Sequence, residues 1–402
     1  MMLRHTIEYR PLLVCIACIA LALAMTLVPC ESIAQSSAAE RVPSLIVRES
    51  RIERASFPVV DVHTHFFIKG KHDPELLDRY VQMMDRNRIA VSISLDGQLG
   101  SQLESHTAFL WTKYPDRFVI FANIDFRGKG KADDPATWAC NQPSFVFETV
   151  ETLRAEFKKG RISGLKFFKD FGLRWRNADG SLIQIDDPRW DPIWATCSEL
   201  GIPVLMHTAD PSAFFRPSDD TNERIVELQA RPEWAFNGPE FPSRESLHQA
   251  RNRVIAKHPK TKFIAAHFGN DAENLDELGQ WLDRYDNLFV EFSSRINELG
   301  RQPYTAKNFF EKYQDRILFG TDGPFPQERL LIYWRFLETN DEYFHYSEKS
   351  PPPQGDWRIY GIGLSPDILK KIYGSNACRI IPTLDGKLRS FDAAQGCQPK
   401  GN

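Results

Sequence analysis

The sequence predicts an α/β fold, a (β/α)8 TIM barrel, on three observations. Eight short apolar runs, rich in β-branched and aromatic residues, punctuate residues 57–319. Amphipathic helix-like stretches lie between them, the alternation expected of a parallel sheet wrapped by helices. The turns entering the runs are short, as at Lys159-Gly160, Gly201-Ile202 and His258-Pro259, whereas two segments leaving them are long. An open doubly wound sheet is the alternative. It would show a Gly-rich phosphate turn after its first strand, and none is present.

Composition sets outer limits. The 402 residues are 42% hydrophobic, 12% aromatic and 26% charged, ordinary for a globular protein. Lys+Arg 50 against Asp+Glu 53 gives a net charge of −3. No basic excess argues for nucleic acid, and no charge block argues for an interaction tail.

The N-terminus is read as a leader. Arg4 and Arg10 precede an apolar run over residues 12–28, and Ser32-Ile33-Ala34 offers a small-residue cleavage site before Gln35. Residues 1–34 are thus expected to be a signal peptide, and the protein to be exported, periplasmic or secreted. An uncleaved anchor is the alternative. No later run is apolar enough to cross a membrane. Residues 35–56 are expected to be a linker or N-terminal cap, 57–382 the barrel and 383–402 a C-terminal tail. Cys140, Cys197, Cys378 and Cys397 follow the leader, an even number that permits disulfides in an exported protein.

The strands are expected at residues 57–62, 89–95, 117–124, 162–168, 203–206, 262–266, 288–292 and 317–319. Helices are expected at 74–88, 147–159, 188–200, 244–257 and 308–313. The long segments, 208–243 after strand 5 and 323–364 after strand 8, lie on the C-terminal face of a barrel, where active sites are built. Phe214, Phe215, Trp234, Phe236, Phe325, Tyr333 and Trp334 fall in them and could cover an aromatic or acyl substrate.

Polar residues close the runs. Val59-Val60-Asp61-Val62-His63-Thr64-His65 ends the first in two histidines that share a strand face. Lys166 and Lys169 close the fourth, His207 the fifth, His267 the sixth, Ser293-Ser294-Arg295 the seventh and Asp322 the eighth. Each costs burial without packing gain. Four histidines and an acid converging on one barrel mouth point to a metal site.

These residues resemble the metal-dependent amidohydrolase superfamily, in the branch that includes aminocarboxymuconate-semialdehyde decarboxylase. The matching pieces are Asp61-Val62-His63-Thr64-His65, the run ending at His207, Ala266-His267-Phe268-Gly269-Asn270 and Phe319-Gly320-Thr321-Asp322. The resemblance implies one divalent metal, usually zinc, on His63, His65, His207 and Asp322, a catalytic non-ligand His267, and a possible homodimer. Three imidazoles and a carboxylate suit zinc while leaving a position for water. Asp322 could take the water's proton and His267 could hydrogen-bond the water or polarise the substrate. Some superfamily members carry a carboxylated lysine on strand 4 that bridges two metals. Lys166 stands near that place, with an anion-binding or structural ammonium as the alternative. Arg295, Arg174 and Arg176 are candidates for a substrate carboxylate, Arg295 foremost because it closes a strand.

The expected activity is metal-dependent hydrolysis of a small amide, ester or lactone-like substrate by a metal-activated water. The alternative is metal-dependent non-oxidative decarboxylation of an unsaturated or aromatic acid, with Arg295 as anchor and His267 as proton donor. A noncatalytic metal-binding barrel is a third class, but it would have no need of His267.

Overall fold

The computed structural model describes residues 43–396. The expected leader, the linker up to residue 42 and the last six residues lie outside them. Residues 43–46 have no regular structure, and all that follows concerns the compact unit from Val47 onward.

Eight parallel strands follow one another in sequence order: β1 Val59–Thr64, β2 Ile89–Ser94, β3 Phe118–Asn123, β4 Gly164–Phe167, β5 Val204–Met206, β6 Phe263–Ala265, β7 Leu288–Glu291 and β8 Ile317–Leu318. The chain beyond β8 closes the barrel onto β1. Val62 N donates to Phe319 O at 2.9 Å, Asp322 N donates to His63 O at 2.8 Å, and Thr64 bridges Gly323 in parallel. This is the (β/α)8 TIM barrel, its strands within two residues of the expected bounds.

Helices start and stop where local chemistry directs. Pro74–Asn87 is capped by Asp73, whose carboxylate accepts from the Glu75 and Leu76 amides, with Pro74 in the first turn. It ends at Arg88 in the left-handed conformation, φ 61°. Arg244–Lys257 matches its expected span. Ser101–Trp111 and Leu275–Arg284, on which the pattern was silent, complete the alternation.

Two apolar layers hold the barrel. Val59, Leu165, Phe167, Val204, Met206 and Phe263 face the helices. Val60, Val62, Leu205, Ile264, Phe289 and Leu318 fill the interior. Ala377, Ile380, Ile381 and Leu384 join this inner layer. The segment read as a tail therefore packs against the barrel through Leu384 and carries helix Leu384–Gly396.

The long βα segments are partly ordered. Residues 208–243 contain helix Ile225–Ala230 and single turns at Ser212–Phe215 and Pro232–Trp234. Residues 323–364 contain helix Gln327–Glu338, after which Phe344 pairs with Ile359. Tyr333 and Trp334 point from that helix into the core, so neither covers a substrate. Cys140, Cys197 and Cys378 are unpaired, and Cys397 lies outside the described residues. Among the described residues no helix is long and apolar enough to cross a membrane.

Candidate metal centre and substrate cavity

His63 and His65 reach the barrel mouth through an irregularity in β1. Val60 and Val62 face inward, so strict alternation would send His63 outward. The β1–β2 register shifts between Asp61 and Thr64, and His63 turns inward to meet Glu291 of β7. Asp61 fixes this bend. Its carboxylate accepts from His63 N at 3.1 Å, Thr321 N at 3.1 Å and Thr321 Oγ1 at 2.6 Å. Burial pushes the Asp61 carboxyl up to about 7, against the hydrogen bonds from Thr321 and His63.

The two rings are oriented from behind. His63 Nδ1 donates to Glu291 Oε1 at 2.8 Å, and His65 Nδ1 donates to Asp96 Oδ1 at 2.9 Å. Carboxylates accept only, so both Nδ1 atoms carry the proton and both Nε2 atoms present lone pairs. These Nε2 atoms lie 3.2 Å apart, and Asp322 Oδ1 is 3.6 Å from the first and 3.5 Å from the second. Three electron-pair donors, all within 4.8 Å of one another, converge with no proton between them. That donor set fits a divalent cation, and the carboxylates behind the rings are the usual support of metal-ligating histidines.

His63, His267 and Glu291 also come within that distance. This second group is a hydrogen-bonded scaffold. Glu291 accepts from His63 Nδ1, His267 N and both Ser293 donors, which occupies its oxygens. Gly320 is required alongside, because a Cβ there would collide with Glu291.

Asp322 and His267 are delivered by left-handed backbone, φ 68° and φ 55°. Non-glycine residues seldom adopt this region, and aspartate and histidine tolerate it better than most. Ala266 already faces inward, so the kink at His267 brings a second consecutive residue to the interior. Arg251 Nη1 donates to Gly269 O at 2.9 Å and Arg244 Nη2 to Asn270 O at 2.5 Å, and both bonds hold this turn. The His267 ring lies 4.8 Å from that of His63 and 4.4 Å from that of His207, centroid to centroid. Its Nδ1 donates to Ser293 O at 2.9 Å, leaving Nε2 as an acceptor. Burial, with His207, His63 and Arg295 nearby, holds this ring neutral, well below the usual histidine range.

His207 is half-buried at the same mouth but does not join the group of three. Its Nε2 makes no hydrogen bond among the described residues and lies 3.4 Å from Asp210 Oδ1. Burial lowers His207 to about 4, against the pull of the Asp210 carboxylate, so it too is neutral. Lys169 pairs with Asp210. Burial would raise Asp210, yet Lys169 and His207 hold it down at about 2.

His207, His267, Asp322, Lys169, Arg224 and Arg295 line a cavity of about 160 Å³. Arg295 donates to Ser294 O at 2.8 Å and Asn270 Oδ1 at 2.7 Å. No carboxylate among the described residues pairs with it, and its buried Nε has no partner there. Arg224 differs, being held by Glu227 and Glu298. Arg174 lies outside the cavity, because Asp170 at 3.3 Å and Glu233 O at 3.0 Å occupy its guanidinium at the surface. Arg176 likewise donates to Gly180 O. Lys166 is buried and its Nζ finds no hydrogen-bond partner among the described residues. It faces the Phe168 ring, and burial lowers it to about 8.

Three residues escaped the sequence reading. Asp96 stands two residues after β2, directly behind Leu95, and a polar residue closing an apolar run was the available signal. Glu291 interrupts the apolar run of β7 and was legible the same way. Lys69 donates to Asp322 O and, at 2.9 Å, to Asp322 Oδ1, from a turn with no local signal. Burial would raise Asp322, but Lys69, His63, His65 and His267 hold it well below the usual carboxylate range.

A family model described as Amidohydrolase matches residues 60–383. Among solved structures, the chain is similar to 2,6-dihydroxybenzoate decarboxylase, at 18% identity over 81% of this chain and 99% of that one, TM-score 0.49. It is similar to 5-carboxyvanillate decarboxylase from Novosphingobium aromaticivorans, at 13% identity over 83% and 100%, TM-score 0.43. It is also similar to a probable 2-pyrone-4,6-dicarboxylic acid hydrolase from Acinetobacter baumannii, at 13% identity over 81% and 100%, TM-score 0.44.

Proposed function

As this chain belongs to the amidohydrolase family, we propose that it is a metal-dependent hydrolase of a small, carboxylate-bearing amide, ester or lactone-like substrate. The observation that carries the reading is the meeting of His63 Nε2, His65 Nε2 and Asp322 Oδ1 beside a cavity that offers an unpaired guanidinium. His63, His65 and Asp322 would hold the ion, with His207 turning its Nε2 from Asp210 to complete the shell. Imidazoles and a carboxylate favour zinc. A divalent ion held there supplies Lewis acidity, polarising a carbonyl and acidifying water.

The chain's own groups divide the remaining work. Arg295 holds the substrate carboxylate, a pairing its planar fork suits. His267 is neutral with its Nδ1 proton committed to Ser293 O, so Nε2 acts as acceptor. It takes a proton from the attacking water and returns it to the leaving group. Asp322, ionised throughout, serves as ligand. Lys69 steadies its carboxylate.

Non-oxidative decarboxylation of an unsaturated or aromatic acid is the second reading, favoured by the cationic lining of Lys169, Arg224 and Arg295. The test is a panel of amides, esters, lactones and aromatic acids given to zinc-reconstituted protein. A hydrolysis product supports the proposal. Carbon dioxide moves the assignment to the decarboxylase, and no turnover with metal bound returns the noncatalytic barrel. Export remains part of the proposal, and mass measurement of the mature chain, expected to begin near Gln35, checks it.

A further inference from the structure

The segments after β5 and β8 enclose a second cavity beside the first. It measures about 480 Å³ and has Phe325, Pro326, Ile332 and Pro353 among its walls. Glu227, Ser294 and Gln354 line both cavities, so the two share a wall. Gln354 Oε1 is buried at this junction with no hydrogen-bond partner among the described residues. The two chambers differ in character. The inner one holds Lys169, Arg224 and Arg295 together with Phe214 and Trp234, whereas the outer one is faced by an aromatic ring, an isoleucine and two prolines, with two cations and the carboxylates of Glu328 and Glu348 also on its lining.

Size separates their roles. Small-molecule sites usually enclose about 300–1,000 Å³. The inner cavity alone, about 160 Å³, falls short of that range, and the outer one lies within it. A ligand of ordinary size would have to reach beyond the inner cavity, and the three shared residues mark where it would pass.

We propose that the outer cavity is a second substrate subsite, taking an apolar acyl or aryl group from a substrate whose carboxylate rests on Arg295. The substrate class is an acylated small acid with two unlike ends, joined by the bond that is cleaved. Gln354 Oε1 stands at the junction as an acceptor for an N–H beside that bond, which favours an amide. The proposal rests on the hydrolase reading of the metal centre.

Two probes test it, N-acetylglycine and N-benzoylglycine. Each is titrated calorimetrically into the zinc-loaded full chain, with glycine release assayed in parallel. Burying a phenyl ring contributes roughly a ten- to hundred-fold gain in affinity. The benzoyl compound is expected to bind tighter than the acetyl compound by that factor. Ile332→Trp, which fills the outer cavity from helix Gln327–Glu338, should lower the ratio about five-fold or more. Pro353→Trp, at an exposed position beyond that helix, should do the same and serves if the first variant does not fold. A wild-type ratio near one, a ratio untouched in the folded variants, or binding of neither compound overturns the subsite. Glycine release without a ratio overturns the subsite and leaves the hydrolase. The ratio without glycine release leaves the subsite and counts against the hydrolase.

Discussion

Asp96 accepts the Nδ1 proton of His65 at 2.9 Å, 31 residues away in sequence, and accepts the amides of Phe67 and Ile68 with its other oxygen. One carboxylate thus fixes both the tautomer of the His65 ring, a proposed metal ligand, and the turn that carries Lys69. Supports of this kind typically contribute about 10–100-fold to metal affinity, roughly 1.4–2.7 kcal/mol. Asp96→Asn is expected to fold and to lose metal at proportionately lower chelator concentration. Elemental analysis across a chelator series checks it, and an unchanged curve would show that His65 needs no such support.

Metal content tests the centre itself. The purified protein is expected to carry about one divalent ion per chain, and His63→Ala to carry none. Two ions per chain would promote Lys166 to a bridging ligand. That lysine is buried, has no hydrogen-bond partner among the described residues, and is lowered by burial to about 8.

His267→Asn isolates the proton-transfer step. Asparagine tolerates the φ of 55° that this position demands, so the turn should survive. General acid–base groups contribute about 10²–10⁴-fold, roughly 2.7–5.5 kcal/mol of barrier. Turnover should fall by that factor with metal content unchanged. Loss of metal would instead make His267 a ligand. Retained activity per folded molecule would reduce it to a core histidine.

Acid should destabilise the fold through a buried histidine. His106 is fully buried between Ser94 at 2.8 Å and His72 at 2.7 Å, and burial lowers it to about 4. The unfolded chain binds this proton below about 6.5, so its stabilising contribution is full above that pH and lost as pH falls from 6.5 to 4. The whole effect is on the order of 3 kcal/mol. Urea midpoints of metal-free protein should drop across that window, and His106→Gln should drop less. Parallel curves for the two would remove His106 from the account.

The sequence by itself determined the barrel and the residues that close its strands. Alternating apolar runs and helical stretches leave few other ways to bury both faces of a parallel sheet. His63, His65, His207, His267, Arg295 and Asp322 were legible because a polar group ending a buried run is out of place unless it has a task. Tertiary structure alone decided how they meet. Periodicity predicts that His63 and His65 share a face, but Val60 and Val62 claim the inward phase of β1, and only the bend at Asp61 restores the histidines to it. His267 and Asp322 depend on left-handed backbone, which no alternation rule foresees. Glu291 lies 228 residues from the His63 ring it orients, and Lys69 lies 253 residues from Asp322. Such pairings follow from register around a closed barrel. Arg174 was a candidate for a carboxylate behind Arg295, and local folding gave it Asp170 while leaving the Arg295 guanidinium buried without a carboxylate among the described residues. Local sequence sets conformation and burial tendency. Partnership between distant charges is set by closure, which brings β8 back to β1.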